Sequence, residues 1–493
     1  MKRTISIMIL VSLLTSLISC ASGTDTKETG GQSSGESEVN TPEVVETVET
    51  DRSEIKDNLP DVSYNGYTFN IIGRDDNFVY KYELGANEVV GEFVNDAAYE
   101  RNLAVEERFD IVIEENYSKT ISDDIRQAVQ SQDASYDLVF NASHWISALA
   151  LENMFLDWYD IDNVDFSQPW WSANAVSELS VNNHSFFAVG DAAISNIGIA
   201  MCIFYNTTLA EHYQLDDIFE VVLDGKWTYD YLNSVIENVA TDTNGDGVMD
   251  SADTYGFGNN IGSTLQPFVF SLGGRFTEKD ENDIPCLSMN NENFVNIVDK
   301  VYTLHMENKG TYADVDWQKP RTMFANSQLI FGTGAVYHSA TLYRDMDDVV
   351  GILPFPKADE SMEKYYTCHD PNVSLMAIPN LAGDIKRTGI ITEALAIESY
   401  KKLTPAFFET ALKYKYSQTS ESVQILEMIK DGTIFDFAIL YGTTSESPAM
   451  KLSQCLQELL KKDSKDFASY YATYASAGEE YLTEVINKYL AQE

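Results

Sequence analysis

Basic residues are scarce in this chain: 33 Lys and Arg stand against 77 Asp and Glu, a formal charge of −44 over 493 residues. That balance excludes nucleic-acid binding, because phosphate contacts need a basic face. It equally excludes docking of the folded surface on an anionic membrane. Histidine is rare, at six, and shows no metal-ligand spacing. There is no Gly-x-Ser-x-Gly, no Gly-Lys-Ser/Thr phosphate loop and no His-Glu-x-x-His, so the common hydrolase, nucleotide and zinc-protease templates are missing. Cysteine is sparse too, with five residues and no Cys-x-x-Cys. Spacing alone cannot pair Cys202, Cys286, Cys368 and Cys455, and buried free thiols are the expected state.

What is present begins with an export signal. Lys2 and Arg3 precede a short apolar stretch, Ile5 to Ile18, which ends in Leu17-Ile18-Ser19-Cys20. The stretch is too short for a membrane span and has the layout of a secretory leader. Its end resembles the bacterial lipobox. That implies cleavage before Cys20 and diacylglycerol on its thiol, giving a chain lipid-anchored at the cell membrane on the extracellular face. Residues 21–60 carry no Phe, Tyr or Trp and are rich in Ser, Thr, Gly and Glu. Such a segment cannot bury enough apolar area to order itself. As a flexible tether of about 40 residues it would reach roughly 35 Å.

The remaining stretch is too long for one core and predicts two lobes. Short apolar runs alternate with helix-period stretches. Thr68–Ile72, Asp110–Glu114 and Tyr136–Phe140 read as strands, and Glu92–Phe109 and Ser122–Ser131 as helices. This alternation predicts βαβ units and a mainly parallel sheet. Ligands of such sheets sit beyond the carboxyl ends of strands, which singles out the loops at residues 73–77 and 141–145. Phe186–Asn206 reads as one long strand leaving lobe 1 for lobe 2, with Gly190-Asp191 at the crossing. Leu329–Gly334 reads as the return. The expected division is residues 61–190 and 335–382 for lobe 1 and 191–334 for lobe 2. The helices of 383–493 are expected mainly to complete lobe 2.

Several segments in order carry a resemblance: "RNLAVEERFDIVI" from Arg101, "YDLV" from Tyr136, "IFYNTTLAE" from Ile203, "GKWTYDYL" from Gly225, "SLGG" from Ser271, "VVGILPFPK" from Val349 and "LMAIPNLA" from Leu375. With the lipobox, the chain resembles family 1 of the extracellular solute-binding proteins, the sugar-binding subunits of bacterial ABC importers. The resemblance spans nearly all of the chain beyond the leader. It implies an α/β, two-lobed periplasmic-binding-protein-like fold, with mixed sheets flanked by helices and lobes joined by crossing strands. It further implies a monomer that closes on a solute and delivers it to an ABC transporter permease. The extended acidic insertions depart from the best-known sugar binders and leave the ligand class less fixed than the fold.

Sugar pockets combine flat aromatic rings, which pack on C–H faces, with amides, carboxylates and guanidinium groups that bond to hydroxyls. The ligand candidates by position are Arg74, Asn141, His144 and Trp145 after strand ends, and Asp191 and Tyr337 near the two crossings, where the resemblance places ligand residues. Trp170-Trp171 is a further aromatic pair, while Trp227, Phe331 and Phe355 are expected in the core. A separate signal is the run from Asp242 to Asp253. Asp242, Asn244, Asp246, the Val248 carbonyl, Asp250 and Asp253 hold the ligand spacing of a Ca²⁺ loop, with Gly247 at the sharp turn. Asp replaces the usual Glu at its last position, so its shorter arm weakens bidentate reach. A structural Ca²⁺ is the expected cofactor. No catalytic residue is assigned. A secreted polysaccharide-active enzyme, or a calcium-dependent surface glycan-binding protein without a transporter, stands as the alternative function. A peptide stands as the alternative ligand.

Overall fold

The computed structural model describes residues 52–413, 420–442 and 447–492. Cys20 and most of the expected tether lie outside the described residues. The folded body begins earlier than the composition suggests. Arg52–Glu54 form a single 3-10 turn. Ile55, Leu59, Val62 and Tyr64 then pack on a core cluster, and Arg108 grips both oxygens of Asp57 at 2.8 Å each. Four apolar side chains spaced along a polar segment are enough to lay it against the body, so the stretch from residue 52 is surface-bound rather than tether.

Two sheets organise the chain. In the first, Tyr67–Gly73 lies between Ile111–Tyr117 and Leu138–Ala142, parallel to both, and Ser374–Ala377 closes the edge antiparallel to Leu138–Ala142. The helices Phe93–Phe109 and Ile121–Ser131 make the crossovers, as the alternation predicts. Gly73 ends the first strand where a Cβ would sit 2.3 Å from the Leu84 side chain. Only glycine therefore lets the next helix, Phe78–Leu84, close over the strand end. Asn77 caps that helix by accepting from the Val79 and Tyr80 N–H groups.

In the second sheet the order is Val350–Leu353, Met201–Asn206, Leu329–Ala335, Tyr255–Asn260, Thr311–Asp314. The last three are mutually parallel, and Met201–Asn206 runs against its two neighbours. The family-like segments have local physical reasons here. Asn206 ends its strand and caps the following helix by accepting from Leu209 N–H. Trp227 is fully buried and donates to the Pro354 carbonyl at 2.9 Å. That bond ties "GKWTYDYL" to "VVGILPFPK". Phe331 and Phe355 are also fully buried, as expected.

Three expectations about the lobes need correction. Phe186–Asn206 is not one strand: Ala188 bridges Met376 of the first sheet, the short helix Ser195–Gly198 intervenes, and only Met201–Asn206 joins the second sheet. Every residue of the run is buried, polar ones included, and burial alone cannot tell a strand from a buried turn. Leu329–Ala335 and Val350–Leu353 both pair within the second sheet, so the return to the first sheet comes only between Leu353 and Ser374. The C-terminal helices divide between the lobes. Ile385–Glu398 packs its Ile390, Ile391 and Leu395 against the first-sheet residues Phe69, Leu138 and Met376. Phe467, at the start of the last helix, stacks on Phe294 of a second-lobe helix, with ring centroids 4.8 Å apart.

Candidate functional site

The two crossings touch each other. Ala200 on the outward path forms an antiparallel bridge with His369 on the return, and the Asp370 N–H donates to the Ile199 carbonyl at 3.3 Å. Beside this seam lies a cleft of about 310 Å³, walled by both lobes. From the first lobe come Tyr80 and the segment Asp370–Asn372. From the second come Gly262–Thr264 and Tyr337, just beyond the carboxyl ends of Tyr255–Asn260 and Leu329–Ala335, and Arg321 from the helix Gln318–Ala325. Helix Cys455–Lys461 contributes Gln457. The volume is at the lower end of the roughly 300–1,000 Å³ of small-molecule pockets.

Of the residues expected from sequence, Tyr337 lines the cleft directly. Arg74 and His144 act one layer behind it. The Arg74 guanidinium donates to the Asn372 carbonyl at 2.9 Å and the Ser374 hydroxyl at 2.8 Å, and it stacks 3.7 Å over the Tyr80 ring. His144 Nδ1 donates to the Pro371 carbonyl at 3.2 Å, and burial holds its imidazole below the usual range. Together they fix the cleft lip at residues 370–372. Trp145 lies with His144 on the first turn of helix Ser143–Ala150 rather than in a loop. It is 50% exposed, its ring 4.9 Å from that of His144.

Two candidates are committed elsewhere. Asn141 is buried and its side-chain oxygen accepts from the Ala142 N–H at 2.8 Å. Asp191, 2% exposed, pairs with Lys430 at 2.9 Å and accepts from the Thr404 hydroxyl at 2.8 Å. Neither is among the residues lining the cleft. Trp170 and Trp171 are buried, and their indole N–H groups donate to the two oxygens of Glu393 at 2.8 and 2.9 Å. Gly190 lies against this pair, where a Cβ would meet the Trp170 carbonyl at 2.6 Å.

Among the described residues, Arg321 and Asp370 are the only guanidinium or carboxylate groups lining the cleft. Glu83 is buried beneath it, and desolvation lifts its carboxyl although Arg74 and the Ser195 and Ser374 hydroxyls favour the anion. Burial pushes His369 down to about 4 and, with help from Arg321, His338 down to about 3, so both rings are neutral at physiological pH. The Arg321 guanidinium stands 4.8 Å over Trp317, a half-exposed ring at the carboxyl end of Thr311–Asp314. Such a surface offers rings, neutral acceptors and a few donors. It can hold a polar, uncharged solute without moving a proton.

The cleft residues Arg321, His369 and Gln457 are absent from the sequence-based candidates, as is Trp317, which lies beneath Arg321. Trp317 and Gly262–Thr264 follow parallel strands of the second lobe, so the carboxyl-end rule extends to them once those strands are recognised. Nothing in the local pattern marks His369 or Gln457, which reach the cleft only through the crossing and the C-terminal helices.

The calcium-loop residues are exposed except Asp253. Their side chains accept loop N–H groups: Asp242 from Gly245 and Gly247, Asn244 from Asp246, Asp246 from Val248, and Asp253 from Thr243 and Asp250. Among the described residues no group of three or more His, Cys, Asp or Glu is placed to hold a metal ion. Cys202, Cys368 and Cys455 are buried free thiols as expected, whereas Cys286 is free but exposed on a short hairpin strand.

A family model described as bacterial extracellular solute-binding protein matches residues 92–369, more than half of the chain. The chain belongs to that family. The match takes in the first-lobe helix from Glu92, the whole second sheet and the seam at His369. Among solved structures, UspC of M. tuberculosis aligns at a TM-score of 0.54 and 12% identity, over 84% of this chain and 99% of that one. A cyclo/maltodextrin-binding protein complexed with maltotetraose aligns at 0.54 and 10%, over 86% and 97%. These likenesses establish the fold of a two-lobed solute-binding protein. No curated protein matches the chain. No described helix is long and apolar enough to cross a membrane.

Proposed function

We propose that this solute-binding protein captures a mono- or oligosaccharide in the cleft between its lobes and delivers it to an ABC permease, held at the outer face of the membrane by lipid on Cys20. The observation that carries the reading is the cleft itself. It is walled by both lobes, fed by strand carboxyl ends, and lined by Tyr337, Tyr80, hydroxyl and amide groups and neutral imidazoles. A hydroxyl-rich, uncharged solute satisfies that lining. A peptide would bring charged termini, and the lining residues supply only Arg321 and Asp370 as ionised partners. The maltotetraose in the structural relative agrees with this chemistry, but the lining makes the case. Binding on one lobe draws the other in, and the closed form is what a permease recognises.

The loop from Asp242 to Asp253 belongs to the same reading as a structural Ca²⁺ site. Its support is the ligand spacing and the wrapping of Gly245 and Gly247 N–H groups onto Asp242, which turns the loop about its acidic residues.

A thermal-shift screen against mono- and oligosaccharides and short peptides tests the function. A ligand at a hundred times its Kd adds about 2.7 kcal/mol, which for a chain of this size raises Tm by roughly 3 °C. X-ray scattering on a hit should show a smaller radius of gyration at saturation. A peptide hit with no carbohydrate hit rejects the sugar assignment, and a hit with unchanged dimensions rejects closure.

A further inference from the structure

Buried polar atoms are almost always hydrogen-bonded, so an unpartnered one aimed into a pocket states what the pocket awaits. Two such atoms belong to residues that line this cleft. His369 is 8% exposed, and its Nδ1 has no partner among the described residues. Its tautomer is fixed: Nε2 lies 2.7 Å from the Asn196 carbonyl, which can only accept, so Nε2 carries the proton and Nδ1 presents a lone pair. The Phe435 ring, 4.7 Å away, holds the imidazole plane. Because burial keeps the ring neutral, that lone pair persists through the physiological range. Gln457, 2% exposed, likewise leaves its Oε1 without a donor. The atoms come from different parts of the body, one from the seam where the crossings meet and one from helix Cys455–Lys461.

We infer that His369 Nδ1 and Gln457 Oε1 are the specificity-determining acceptors of the cleft, each taking a hydrogen bond from a hydroxyl of the solute. The inference rests on the carbohydrate reading and deepens it. A solute lacking O–H donors at these two points leaves both acceptors buried and unpaired, and sites built this way reject such analogues strongly. Since His369 also bridges Ala200, a hydroxyl bound at Nδ1 is attached to the seam about which the lobes move.

The test uses the protein labelled with ¹⁵N-histidine, titrated with maltotriose, cellotriose and xylotriose. For a trisaccharide that binds, the His369 Nδ1 resonance should start as a bare acceptor nitrogen and move towards the hydrogen-bonded range at saturation. Its Nε2 should stay in place. Gln457→Leu and His369→Phe should each weaken that sugar by about tenfold or more. The resonance is read on the unaltered protein, so a folding defect in His369→Phe does not blunt the result. A trisaccharide that binds with Nδ1 unmoved and with unchanged affinity for Gln457→Leu overturns the inference and leaves the carbohydrate reading standing. No binding by any of the three to the folded protein, alongside a non-carbohydrate hit in the thermal screen, overturns both.

Discussion

Asp191→Asn separates a structural carboxylate from a ligand contact. Asp191 is 2% exposed and its partner Lys430 has a side chain 10% exposed, with 2.9 Å between them. Removing the negative charge strands a buried ammonium. Breaking a buried pair in this way costs about 3–5 kcal/mol. Glu427, which also acts on Lys430, compensates in part and places the expected loss near the lower end. Unfolding entropy of about 2.1 cal/mol/K per residue gives a chain of this size roughly 0.9 kcal/mol/K, so Tm should fall by about 3–5 °C. Adding Lys430→Met removes the stranded charge and should restore most of the loss. The assay is thermal and urea unfolding of the two variants, together with titration of the solute found by screening. Affinity of the folded Asp191→Asn protein should stay within about twofold of the parent. A variant that unfolds at the parent Tm yet no longer binds would refute the reasoning and return Asp191 to the ligand contacts.

Trp145→Ala should change Tm by less than about 1 °C, because the ring is half exposed, and should leave solute affinity within about twofold, because Trp145 lies outside the cleft lining; a loss of affinity at unchanged Tm would return Trp145 to the ligand contacts. Burial lifts the Glu393 carboxyl from an ordinary 4.5 to about 7 despite its two indole donors. Between those values the folded chain holds a proton that the unfolded chain has released, so this contribution to stability falls as pH rises from about 4.5 to about 7 and is level above. The difference in Tm between the parent and Glu393→Gln should therefore shrink or change sign across that window, and parallel curves contradict it. Terbium luminescence and calcium dialysis should show one site at residues 242–253, lost in Asp242→Ala with Asp246→Ala; equal metal uptake by parent and variant rejects the loop.

The order of motifs, the alternation of strand and helix and the carboxyl-end rule made the fold class legible from sequence. They also made legible the three parallel first-sheet strands and the approach of Tyr337 to the cleft. These are local or near-local matters: a period of two or of 3.6, a cap such as Asn206, a core ring such as Trp227. The seam between the lobes was not legible. Phe186–Asn206 is buried throughout, and only the pairing of Ala188 with Met376 and of Ala200 with His369 shows where the chain turns and crosses.

The same limit governs the site. Residue type and position nominated Asp191 and Asn141, but each has a partner far away or in its own backbone that no pattern reveals: Lys430 lies 239 residues from Asp191. Conversely, His369 and Gln457 carry no sequence signature, since what distinguishes them is a missing partner in a buried place. The sequence by itself determined the acidic balance and, through its ordered motifs, the family. The tertiary structure decided which polar atoms are already satisfied and which are left unpaired beside the cleft, because hydrogen-bond satisfaction is a property of packed neighbours and not of the residue.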